Sequence, residues 1–91
     1  MIRVVFTDKR MTVQGHANYG AKGQDVICAA VSALVYALIA TLEETDNIRE
    51  TVIRTGYATV AAKEWDRAFD VVRGGLAQIA ARYPAYVQIE A

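Results

Sequence analysis

A second cysteine is missing from this 91-residue sequence, so no disulfide can form within the chain and a stapled, secreted scaffold is excluded. A reducing cytoplasm is the expected setting. An excess of charge is also missing: ten basic residues balance ten acidic ones, and no run of Lys or Arg interleaves with aromatics as nucleic-acid recognition requires. Direct nucleic-acid binding is disfavoured. With one histidine and one cysteine the chain has too few soft ligands for a metal centre, and no metal or cofactor is expected. Met1 to Asp8 lacks the apolar block of a signal peptide, and Val26 to Ala40 is apolar but short of the roughly 20 residues needed to cross a bilayer. No membrane partner is expected, and no linker or repeat divides the chain. Residues 1–91 read as one domain.

Apolar residues make up 54% of the chain, and the excess lies between Val26 and Leu42, a stretch that calls for burial on nearly every side. Ile2 to Thr7 and Met11 to Gln14 are β-rich and flank the polar break Asp8-Lys9-Arg10, which predicts a hairpin. Gly15 to Gly23, with three glycines, predicts a loop. Asp25 stands where an N-cap belongs, ahead of a helix running to Glu43 or Glu44. Thr51 to Arg54 and Tyr57 to Ala61 around Thr55-Gly56 predict a second hairpin. Asp66 heads a second helix whose Phe69, Val72, Leu76, Ile79 and Ala80 recur at helical spacing. Gly74-Gly75 within it suggests close packing against another backbone, Pro84 stops it, and Ala85 to Ile89 predict a closing strand. The order β-β-α-β-β-α-β predicts an α+β two-layer sandwich, a mostly antiparallel sheet with two helices packed on it.

The single histidine and single cysteine bracket the glycine-rich loop. His16 follows a strand, and Cys28 falls in the first turn of a helix, where unpaired N–H groups favour a thiolate. An imidazole within reach could take the thiol proton and later protonate a leaving amine. A lone cysteine in an apolar helix is more often a small core residue, and a lone histidine after a strand is more often a half-buried polar group. Spacing leaves both readings open.

The segment Gly15-His16-Ala17-Asn18-Tyr19-Gly20-Ala21-Lys22-Gly23-Gln24-Asp25-Val26-Ile27-Cys28, continued by a small-residue helix containing Ser32, resembles the signature of the ribosomal-processing cysteine protease family, Prp. In that family Gly-His-Ala precedes a glycine-containing loop, then Asp, two aliphatic residues and Cys. The resemblance implies a cytoplasmic, homodimeric cysteine endopeptidase that removes the N-terminal extension of a bacterial large-subunit ribosomal protein precursor. It implies His16 as general base and Cys28 as nucleophile, with Asp25 and Ser32 matching further motif positions. Where many members have a second histidine in the loop, this chain has Tyr19.

Around that pair, Asp25 either caps the helix or orients His16. Unpaired N–H groups beside Cys28 are expected to form an oxyanion hole. Ser32, one turn on, either hydrogen-bonds near the site or bonds back to its own helix. Gly15, Gly20 and Gly23 free a loop that, with Tyr19, can cover the substrate. The apolar helix offers its second face to another copy of the chain. Two other functions compete: a non-catalytic, ribosome-associated homodimer that binds a peptide, and a structural homodimer without substrate.

Overall fold

Apolar and polar side chains alternate at the start of the chain, and the computed structural model forms there the hairpin that this alternation demands. The structure describes residues 1–21 and 23–90; Lys22, in the predicted loop, and Ala91 lie outside the described residues. β1 (Ile2–Thr7) turns Ile2, Val4 and Phe6 inward, and β2 (Arg10–Gln14) does the same with Met11 and Val13. The pairs Val4↔Val13 and Phe6↔Met11 hold the register, because a slip by one residue would send this apolar set to solvent.

Five further elements follow: α1 (Val26–Glu44), β3 (Ile48–Arg54), β4 (Tyr57–Ala62), α2 (Ala68–Arg82) and β5 (Val87–Glu90). The strand order is β3-β4-β2-β1-β5. β5 runs parallel to β1, and the other three pairings are antiparallel. α1 links β2 to β3, which run the same way with β4 between them. α2 links β4 to β5 across β2 and β1. Strands running the same way cannot be joined by a tight turn, so each pair needs a helical crossover, and the two helices lie side by side on one face of the sheet. The predicted two-layer α+β sandwich is the observed one.

α1 buries Ile27, Val31, Val35, Leu38, Ile39 and Leu42, which recur at spacings of three and four. Its outer face is exposed and carries Ala29, Ala30, Ala33, Ala37 and Ala40. The expected burial on nearly every side is therefore not found. Alanine raises the apolar count while adding little apolar area, and it is the strongest helix former, so it suits an exposed face. Val26 and Tyr36, 62% and 57% exposed, are the larger exceptions. With 19 residues and a mean hydropathy of 2.1, α1 is also long and apolar enough to span a bilayer by those two measures, so its length does not exclude a span as the sequence suggested. Its six buried residues instead close one core with Val4, Met11, Val60 and Leu76.

In α2, Phe69, Val72 and Leu76 are buried, with Ile79 and Ala80 partly so. A Cβ on Gly75 would stand 3.1 and 3.2 Å from the methyls of Leu34 on α1, while Gly74 faces open space, so the close approach is to a side chain rather than to a backbone. Asp66 Oδ1 accepts the Ala68 N–H at 2.8 Å, one residue ahead of the cap position held by Arg67. β3 starts at Ile48 rather than Thr51, and β5 at Val87 rather than Ala85. β3 is a largely exposed edge strand with a register shift between Ile48 and Glu50, so its first residues lack an apolar alternation to announce them.

Leu38→Ala is expected to lower the unfolding free energy by about 2–5 kcal/mol, and Ala37→Ser by less than about 1 kcal/mol. Urea unfolding of both variants checks the division of α1 into a buried and an exposed face; equal losses would contradict it.

Candidate active site

Asp25 begins α1 with extended backbone angles, φ −81° and ψ 104°, as an N-cap requires. Its Oδ1 accepts the N–H groups of Ile27 and Cys28, each at 3.0 Å. Its Oδ2 reaches back to the loop and accepts the N–H groups of Tyr19 at 2.9 Å and Gly20 at 3.2 Å. These bonds, that from Cys28 foremost, hold the carboxyl below its ordinary value of 3.8 against an opposing desolvation. Asp25 is therefore a cap that also clasps the loop, and its four bonds go to backbone N–H groups rather than to His16.

The clasp folds the loop over the start of α1, so that residues far apart along the loop meet. Cys28, third in the helix and half-buried, accepts the Ala17 N–H on Sγ at 3.5 Å. His16, the residue before Ala17, is exposed, and the Met1 amino group donates to its carbonyl at 2.6 Å. Gly15 has φ +94°, and a Cβ there would collide with the Met1 carbonyl oxygen, so glycine is required at this approach. On the other side Gly15 N–H donates to the Gly56 carbonyl at 2.8 Å.

His16 and Cys28 line the same two clefts. One, of about 220 Å3, is also lined by Gly15, Ser32, Val35, Tyr36, Ile53 and Tyr57. The other, of about 370 Å3, borders Asn18, Gly20, Gly23, Asp25 and Thr55. Six of the sequence-predicted residues besides the pair thus divide as Gly15 and Ser32 on the first cleft and Gly20, Gly23 and Asp25 on the second, with Tyr19 on neither. The Tyr19 ring instead meets Tyr86 and Tyr83 edge-on, at centroid distances of 5.1 and 5.7 Å, and fastens the loop to the segment joining α2 and β5. Among the described residues no three of His, Cys, Asp and Glu gather as a metal site would.

The expected oxyanion donors are not free. The Ile27 and Cys28 N–H groups are held by the Asp25 side chain, and that of Ala29 bonds to the Asp25 carbonyl at 3.0 Å. Residues that sequence reasoning missed are Asn18, which lines the second cleft with a left-handed φ of +56°, and the hairpin residues Ile53 to Tyr57. Thr55-Gly56 is legible as a turn, but no local signal says that the turn packs on the loop.

Because folding holds the Asp25 carboxyl below 3.8, its ionised form stabilises the fold fully above that value and the contribution is lost as pH falls through the lower folded-state value. Asp25→Asn keeps one acceptor oxygen and loses the other arm of the clasp. It is expected to lower the melting temperature near neutral pH, with the gap from the parent chain narrowing as pH falls below 3.8. Thermal unfolding at a series of pH values checks this; a constant gap would show that the charge does not matter.

A sequence profile of the cysteine protease Prp family matches residues 1–88. The chain is 30% identical over 95 residues to the ribosomal processing cysteine protease Prp of Mycoplasma genitalium, an alignment covering 98% of this chain and 94% of that protein. Solved structures share the fold. An essential ribosomal processing protease Prp from S. aureus, in complex with a covalently linked product peptide, superposes with a TM-score of 0.87 at 19% identity, covering 99% of this chain and 98% of that one. SMU.848 from Streptococcus mutans superposes with a TM-score of 0.78 at 24% identity, covering 99% and 92%. With a profile match over nearly its whole length and a relative aligned almost end to end, the chain belongs to the cysteine protease Prp family.

Proposed function

We propose that this chain is a cytoplasmic cysteine endopeptidase that removes the N-terminal extension of a bacterial large-subunit ribosomal protein precursor, with Cys28 as nucleophile and His16 as general base. One observation carries the assignment of residues: the only cysteine and the only histidine of the chain line the same clefts, where the Ala17 N–H already points at the sulfur. Support for the substrate class comes from the Mycoplasma genitalium relative, a ribosomal processing protease. Support for a peptide ligand comes from the S. aureus proteins, which hold a product peptide and a substrate peptide.

His16 takes the proton from Cys28 Sγ, and the thiolate attacks the scissile carbonyl carbon. With the Ile27 and Cys28 N–H groups engaged by Asp25, Asn18, which lines the second cleft together with Cys28, offers its side-chain amide as the donor for the developing oxyanion. As the tetrahedral intermediate collapses, the C–N bond breaks and His16 gives its proton to the leaving amine. A water, deprotonated by His16, then hydrolyses the thioester and restores Cys28. The apolar residues lining the first cleft, Val35, Tyr36, Ile53 and Tyr57, suit an apolar stretch of the extension. The partner in the homodimer packs on the outer face of α1, where Val26 and the alanines are exposed.

Cys28→Ala and His16→Ala are each expected to lower cleavage of the precursor by roughly 10³-fold or more with unchanged far-ultraviolet circular dichroism. Mass spectrometry of the precursor's N-terminus reads the outcome; full cleavage by Cys28→Ala would remove the proposal. Light scattering at micromolar concentration is expected to give the mass of two chains, and the mass of one would remove the dimer.

A further inference from the structure

We propose that Gly56, in the turn between β3 and β4, is a positioning residue for His16: the space its missing side chain leaves is where the imidazole sits, and its carbonyl fixes the backbone beside that imidazole. This inference rests on the pairing of Cys28 with His16 proposed above.

A Cβ built on Gly56 would stand 2.8 Å from His16 Nε2, 3.4 Å from Cε1 and 3.5 Å from Cδ2. The distal edge of the ring therefore rests over the turn. The Gly56 carbonyl accepts the Gly15 N–H at 2.8 Å, one residue before His16, so the turn grips the backbone and cradles the ring together. The turn is itself held on both sides. Arg54 pairs with Tyr57 across it, and Tyr57 pairs with Gln14 at the end of β2, the strand that leads into Gly15 and His16. Turn, strand end and ring thus form one sheet corner.

The left-handed φ of +71° does not by itself demand glycine, because Asn and Asp also serve in two-residue hairpin turns. What separates glycine from asparagine here is the imidazole. Any Cβ would press on Nε2, the far end of a flexible side chain, so the ring would swing away while the hairpin stayed folded. A general base displaced by a fraction of an ångström to an ångström loses rate without loss of substrate binding.

The test uses Gly56→Ala and Gly56→Asn in the full chain, each with and without His16→Ala. Two rates are measured: cleavage of a peptide spanning the precursor's processing junction, and alkylation of Cys28 by iodoacetamide at neutral pH. Both Gly56 variants are expected to lower kcat by about 10–100-fold with KM within about twofold. In the parent chain His16→Ala slows alkylation by about tenfold or more. On either Gly56 variant it is expected to add less than about twofold, since the ring has already left. Asn accepts a positive φ more readily than Ala, so Gly56→Asn keeps the test open if Gly56→Ala loses stability. Parental rates in Gly56→Asn, a full additional effect of His16→Ala on both Gly56 variants, or an unfolded Gly56→Asn would overturn the positioning role while leaving the pair in place. An unchanged alkylation rate in the parent carrying His16→Ala alone would instead overturn the pair itself, and Gly56's role with it.

Discussion

Four backbone N–H groups converge on the Asp25 carboxylate, two from the loop and two from the first turn of α1, and the placement of the site depends on that convergence. Without it the helix start would fray and the loop would be free to leave it. With it, the chain between His16 and Cys28 is bent back on the helix that carries the sulfur. The Tyr19 ring, lodged against Tyr83 and Tyr86, holds the loop from the far side. The arrangement has a chemical consequence: N–H groups used to cap the start of α1 cannot also bind an oxyanion. A cap and an oxyanion hole compete for the same N–H groups, and here the cap has them.

What was legible in the sequence was local. The first hairpin, the Asp25 cap, the extent of α1 and the inner face of α2 follow from alternation, capping chemistry and helical spacing. The candidate pair stands out as the chain's one His and one Cys on either side of a glycine-rich loop, but spacing left its role open, and the reading as a pair came from the resemblance of Gly15 to Ser32 to a family signature. What stayed hidden was non-local. Nothing in Ile53 to Tyr57 marks it as a wall of the cleft, because its contact with residues 15 and 16 depends on the strand order rather than on any pattern within it. The outer face of α1 was misread because composition weighs an alanine like a leucine, whereas area does not.

The site therefore has two parts of different origin. The contiguous stretch from Gly15 to Ser32 supplies the titratable and nucleophilic groups, while the β3–β4 hairpin supplies much of the apolar lining and the surface under the imidazole. Gly56 is where the two parts touch.

β1 has β2 on one side and β5 on the other, and β5 comes from the opposite end of the sequence. Contacts that span nearly the whole chain form late and slowly, because the loop they close carries a large entropy. During synthesis, then, β1 waits with an open edge until residues 87–90 emerge. A nascent chain presents that edge to any strand it meets until β5 pairs with it, after which β5, as the outermost strand, carries the open edge instead.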